Sequence, residues 1–384
     1  MKRLFIVATA YCLGLSAAAY AQGKPGGVIE ACSTNGSDGF AGAPIATIQY
    51  PAKLNNYSTK PPWCSAGIGY AVGIPTAQSL SDPVPRGTLA NALAALGGTL
   101  NAGAHEITFS GVDNITIQGW DFSLGGGYDI RIASSGAAVK NNNFKVGSNL
   151  RPLIFVESSA KDATIVNNVF DGAGLPNNPA GGLIRLGGQG TTTLKYNLIQ
   201  NAYYQFIQAS TSGVGSSDVQ LIEYNVFENA GLGAPNGAHG DWIQDVSSTP
   251  GISPWKAIEI NFNTFIQNNP TAATQGLSIF YSAGNTATAQ SIGISNNTAV
   301  ATTNVNYPFL IETSHLIGSA IVNNNYIDLT GVVGSWISIQ NARTAPYNGT
   351  VTASGNKNML TGATCTIGGA ACSRRPATNR PSQR

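Results

Sequence analysis

Charge is scarce in this 384-residue chain: 20 Lys and Arg and 18 Asp and Glu make up only 10% of it. A helical domain ordinarily carries more Glu, Lys and Leu, so the scarcity argues against a helix-rich fold. Lys2 and Arg3 stand at the start, and Arg374, Arg375, Arg380 and Arg384 stand in the final tail. The body between them is slightly acidic, so the basic face that a nucleic-acid partner needs is not there. The tail reads as a solvated end rather than a binding arm.

Long apolar runs are missing as well. The stretch from Leu4 to Leu15 is too short to span a bilayer, and no later segment is longer, so no membrane span is expected. With Lys2 and Arg3 before it and Ala19-Tyr20-Ala21 after it, this stretch has the pattern of a secretory signal peptide. Residues 1–21 are therefore set apart from the fold, with cleavage expected after Ala21 and a secreted or periplasmic location. The remaining length of about 360 residues suits one elongated domain or two ordinary ones.

Cysteine is also sparse. Cys12 lies in the leader, which leaves Cys32, Cys64, Cys365 and Cys372. An even number in an exported chain favours disulfides. Three pairings are open. The local one, Cys32–Cys64 with Cys365–Cys372, closes the shortest loops and would staple the two ends. No C-x-x-C spacing or nearby His supports a metal site. No cofactor is expected, with calcium left open.

What the chain has in quantity is glycine, 46 residues, together with abundant Asn, Thr and Ser. It also has an internal repeat. An aliphatic residue recurs as Ile117, Val139, Ile165, Leu194, Ile222, Ile260, Ile294 and Val322. Three positions later stand Trp120, Asn142, Asn168, Asn197, Asn225, Asn263, Asn297 and Asn325. Two further on stand Phe122, Phe144, Phe170, Ile199, Phe227, Phe265, Ala299 and Ile327. The alternation has the period of a strand, so the aliphatic side chains should stack inward. The Asn should mark a sharp corner, because Asn tolerates the left-handed region, and stacked Asn side chains can bond the next rung. Successive markers lie 22 to 38 residues apart, the repeat of a solenoid coil.

A second strand follows each marker. Its members are 128–132, 153–157, 183–186, 206–209, 242–246, 277–281, 309–312 and 336–340. Three short strands and three turns fill the repeat. The expected fold is all-β, a solenoid of about nine coils over residues 105–362. Residues 22–104 should cap one end with a short helix over Pro85–Leu96, which Gly97 and Gly98 terminate. Residues 363–384 hold the second cysteine pair and the basic tail.

The N-x-aromatic repeat resembles that of the right-handed parallel β-helix superfamily, the pectate-lyase-like fold. The resemblance covers roughly residues 105–362 and implies a right-handed parallel β-helix. Members include polysaccharide lyases, glycoside hydrolases, epimerases, phage tailspikes and adhesins, so the fold does not select an activity. The chain lacks the paired-Asp segments of polygalacturonases and the calcium-binding carboxylates of pectate lyases.

The longest spacing, from Asn225 to Asn263, carries the most distinctive segment: His239, Asp241, Trp242, Gln244 and Asp245 lie together where a strand begins. Loops on a rigid scaffold are where such folds hold function. Strand alternation sends Ile243 inward and Trp242 and Gln244 outward. The same register makes Arg131, Arg185, Gln208 and Gln244 one outer column, and Phe206 and Trp242 a second, with Tyr203 and Tyr204 at the corner. Aromatic rings pack on sugar faces, Arg pairs a carboxylate, and Gln bonds hydroxyls or forms a structural amide ladder. The expected partner is a polysaccharide. In a lyase, His239 would remove the proton α to a uronate carboxylate that Arg185 neutralises. In a hydrolase, Asp241 and Asp245 would be the carboxylate pair, although alternation sends Asp245 inward. A non-catalytic glycan-binding or surface-structural β-helix is the third reading. Lys195 and Glu223 are expected to form a surface ion pair.

Overall fold

The computed structural model describes residues 57, 59, 61, 72–75, 78–147, 152–176, 182–210, 217–237, 240–247, 255–282, 289–341 and 347–372. Within them three sheets of ten, nine and eight strands wrap around a common interior. Every pairing is parallel except the first, between Gly98–Asn101 and Glu106–Phe109. The chain visits the three sheets in turn. One coil runs through Ile207–Ser210, Val219–Glu223 and Val226–Glu228, and the next through Ile243–Ser247, Trp255–Asn261 and Thr264–Gln267. The second sheet has nine strands, one for each of nine coils. The chain is a parallel β-helix.

The repeat explains the interior. Ile117, Val139, Ile165, Leu194, Ile222, Ile260, Ile294 and Val322 are register partners down the second sheet, and all are buried. The aromatic position stacks as well: Phe122, Phe144 and Phe170 lie 4.7 and 4.9 Å apart, and Phe227 and Phe265 lie 4.8 Å apart. Each such ring removes a large apolar area from water and gains from the offset contact.

The marker asparagines differ from expectation in one respect. The left-handed corner residue is the one before the marker: Asn141, Asn167, Tyr196, Tyr224, Phe262, Asn296 and Asn324 have φ between 54 and 59°. The marker itself turns inward. Its Oδ1 accepts the backbone N–H of the preceding marker, at 2.9 Å for Asn168 to Asn197 and 2.9 Å for Asn197 to Asn225. Its Nδ2 donates to a strand carbonyl of the preceding coil, as Asn197 does to Ile165. This ladder extends from Asn142 to Asn356 and satisfies backbone groups that a corner would otherwise leave buried and unpaired.

Three bulky residues hold left-handed backbone, a conformation that ordinarily costs free energy. Tyr196, Tyr224 and Phe262 offset this outside the coil by stacking at 5.3 and 4.9 Å. Val72 covers them in a second apolar cluster with Leu198, Val226, Ile266, Val300 and Met359. Thr59, Val72 and Gly73 therefore lie along the flank of the third sheet. Gly73 donates to the Tyr196 carbonyl at 2.9 Å, and Thr59 donates to the Met359 carbonyl at 3.1 Å.

The cap helix is shorter than its apolar period suggested. Arg86 has a φ of 57°, which confines the first turn to a 3₁₀ piece, Pro85–Gly87, and the α-helix runs only over Asn91–Ala95. Its Leu93 is fully buried at the end of the core. At the other end Cys365 and Cys372 are disulfide-bonded, with Cα atoms 5.2 Å apart. Cys32, Cys64 and the leader lie outside the described residues. Among the described residues no helix is long and apolar enough to cross a membrane.

Candidate functional site

The outer face of the first sheet carries the expected column. Arg131, Phe155, Arg185, Gln208, Gln244 and Ser278 are successive register partners on six adjacent strands. Phe155 was not singled out from the sequence, although its parity in 153–157 marks it. Its half-buried ring lies between two guanidinium groups, with Arg131 at 5.0 Å and Arg185 at 4.7 Å from the centroid. A cation over an aromatic face gains from the ring quadrupole and is held in one orientation.

The two arginines are not equivalent. Arg131 is bonded to Glu157 and lies 3.6 Å from Glu106. Burial disfavours its charge, but the bond to Glu157 and the charges of Glu157 and Glu106 outweigh that and raise its pKa. Arg185 has no carboxylate partner among the described residues, and its guanidinium lies over the Phe155 ring. Among the described residues of this column it is the cation left available to an incoming anion.

Phe206 and Trp242 do not line the wall. Both are fully buried. Trp242 stacks on Phe265 at 4.9 Å and donates from Nε1 to Gln267 Oε1 at 3.5 Å, while Phe206 tilts against Phe227 at 5.5 Å. The strands begin at Ile207 and Ile243. Alternation holds only within a strand. The residue before it sits at the corner, where the chain turns out of the third sheet, so it and the first strand residue both face the core. Leu153, Leu183 and Trp336 occupy the same corner position and are likewise buried.

Tyr204 is half-buried and packs edge-on against Tyr203 at 4.9 Å. The Tyr203 hydroxyl accepts from Asn236 Nδ2 at 3.1 Å, which ties the corner to the 231–237 loop. His239 lies outside the described residues. Just after it, Gly240 passes so close to Gly231 that an added Cβ would come within 2.5 Å of the Gly231 Cα, so this turn requires glycine.

Asp241 is fully buried beneath the column rather than exposed on it. It accepts the Ser278 hydroxyl at 2.5 Å on Oδ1 and Gln244 Nε2 at 3.2 Å on Oδ2. Gln244 Oε1 in turn accepts Gln208 Nε2 at 3.3 Å and Gln205 Nε2 at 3.4 Å. The glutamines thus form an amide ladder while facing outward. Gln205 and Ser278, both buried, were missed in the sequence because their roles depend on the neighbouring coils.

Asp245 faces the interior. It is fully buried between its register partners Ala209 and Ile279 and accepts Gln220 Nε2 at 3.2 Å. Burial raises its pKa to about 7, against the opposing effect of the Gln220 bond. Asp241 and Asp245 therefore bond to side chains on opposite sides of one strand and do not face each other across a shared space. Lys195 and Glu223 pair at 2.7 Å on the second sheet, as expected for a surface ion pair. Among the described residues no three His, Cys, Asp or Glu side chains gather as a metal-binding group.

Compared with protein-family models, with curated proteins and with solved structures, the chain matches none. The functional argument therefore rests on the face itself. Among the described residues it offers a guanidinium without a carboxylate partner on an aromatic ring, a run of oriented amides beside it, and a repeat along the coil axis.

Proposed function

We propose that this protein is an exported carbohydrate-active member of the pectate-lyase-like β-helix superfamily. In this reading it binds a uronate-containing polysaccharide along the outer face of the first sheet and cleaves it by β-elimination. The observation that carries the reading is Arg185, aligned on Phe155 and without a carboxylate partner among the described residues. A guanidinium so held can pair a uronate carboxylate through two parallel N–H bonds. Withdrawing charge from that carboxylate makes the neighbouring C–H acidic enough for a base. His239, two residues before Asp241, is the candidate base. Gln208, Gln244 and Tyr204 would contact sugar hydroxyls or ring faces. Arg131, bonded to Glu157, would orient Phe155 rather than bind the anion. The hydrolase reading loses support because Asp241 and Asp245 do not face each other.

The test uses the purified protein with uronic-acid and neutral oligosaccharides, with and without calcium. Elimination is followed by the absorbance of the new unsaturated product, and hydrolysis by reducing ends alone. His239→Ala is expected to abolish the absorbance while leaving binding in place. Arg185→Ala is expected to weaken binding of the uronate oligosaccharide by about 10- to 100-fold, the loss of a charge-assisted pair. Binding of a neutral oligosaccharide should change little. Equal losses for both ligands would remove Arg185 from anion recognition, and reducing ends without absorbance would replace the lyase reading with a hydrolase.

A further inference from the structure

The amides on this face form a chain with a direction, and the group that sets the direction lies beneath the surface. A side-chain amide can present either end to a neighbour. A carboxylate can only accept. With Asp241 Oδ2 as its neighbour at 3.2 Å, Gln244 must turn its NH₂ downward and its carbonyl oxygen along the column. That oxygen then draws the NH₂ groups of Gln208 and Gln205, at 3.3 and 3.4 Å. The Ser278 hydroxyl, bonded to Asp241 Oδ1 at 2.5 Å, holds the carboxylate on its other side. Gln208, with its nitrogen committed to Gln244, is left with its Oε1 shielded from water and without a hydrogen-bond partner. Its register partner on the neighbouring strand is Arg185.

We infer that Asp241 is a positioning residue: it acts through Gln244 to fix the polarity of the amide chain, so that the face ends in a carbonyl acceptor next to the Arg185 cation. The N–H donors of the chain are thereby committed toward Asp241, so an anionic group that reaches this face is met by Arg185 and not by the amides. The inference rests on the glycan-binding reading for its ligand. The Asp241–Gln244 contact itself can be tested without one.

The experiment compares wild type, Gln244→Glu and the double variant Asp241→Asn with Gln244→Glu. Thermal unfolding and binding of an oligogalacturonate are both measured. The single variant sets a second carboxylate against the buried Asp241, so it should unfold at lower temperature and bind at least about tenfold more weakly. The double variant restores one carboxylate and one amide with their places exchanged. Asn at 241 donates to Glu at 244, whose oxygens still accept Gln208 and Gln205. It should regain the wild-type unfolding temperature, as expected when two changes act through one contact. An unfolding temperature that stays as low as that of the single variant would overturn the inference, because the two side chains would then not act through one contact. An unaffected single variant would overturn it too, by showing that the contact is not made. If wild type binds neither oligogalacturonate nor any neutral oligosaccharide, the glycan reading fails. The unfolding temperatures still decide the orienting role: recovery in the double variant upholds it, and no recovery overturns it.

Discussion

Replacing Asp245 by Asn should stabilise the protein at neutral and alkaline pH and flatten its pH dependence. Burial lifts the folded-state pKa of this carboxyl to about 7, against about 3.9 in an unfolded chain. The folded protein therefore binds the proton more tightly than the unfolded chain does. Relative stability from this group is fully present below about pH 4. It is lost as pH rises through about 7 and is constant above that. The difference in pKa corresponds to roughly 4 kcal/mol between the two limits. Asn keeps the acceptor for Gln220 Nε2 and has no charge to bury. Urea unfolding of both proteins at pH 5 and pH 8 checks this. The wild type should lose more stability over that interval than the variant, and parallel losses would show that Asp245 does not titrate in the fold.

The second large effect is expected at the asparagine ladder. Asn197 Oδ1 accepts both the backbone N–H and the side-chain Nδ2 of Asn168, at 2.9 and 3.0 Å. Its own Nδ2 serves the carbonyls of Ile165 and Lys195 and the next Asn, at 3.0, 2.8 and 3.0 Å. Asn197→Ala leaves at least one buried donor and one buried carbonyl without these partners. At about 1–3 kcal/mol for each orphaned group, the loss should be about 2–6 kcal/mol. Denaturant unfolding should show it. A loss below about 1 kcal/mol would mean that neighbouring rungs share the bonds more freely than the geometry indicates. Because each coil contacts its neighbours directly, the damage should also appear as faster amide exchange in the two flanking coils.

These two residues also show how far a reading of the chain alone can go. The repeat exposed the aliphatic and aromatic stacks because they depend only on strand period and coil spacing. Alternation also sent Asp245 inward, for the same reason. Alternation failed at Phe206 and Trp242, one residue outside the strand, where the corner brings the side chain back to the core. It failed by one position at the turns, where Tyr196, Tyr224 and Phe262 take the left-handed conformation and the marker Asn does not. No local rule would place two tyrosines and a phenylalanine there. Their stacking across coils and the cover from Val72 make the conformation tolerable.

The outer column was legible in part. Arg131, Arg185, Gln208 and Gln244 share a parity that the sequence displays, and the register aligns them. The sequence does not say that Arg131 is committed to Glu157 while Arg185 rests on Phe155. Nor does it place Asp241 under Gln244 and against Ser278, 37 residues on. The sequence alone determined the class of fold, the direction of most side chains and the place along the chain where the face would form, because periodicity is a local property of each strand. Only the tertiary structure decided which charge is neutralised and which aromatic is buried. It also decided which way the amides point, because those outcomes depend on neighbours that the coil brings together, such as Glu157, 26 residues from Arg131, and Ser278, 37 residues from Asp241.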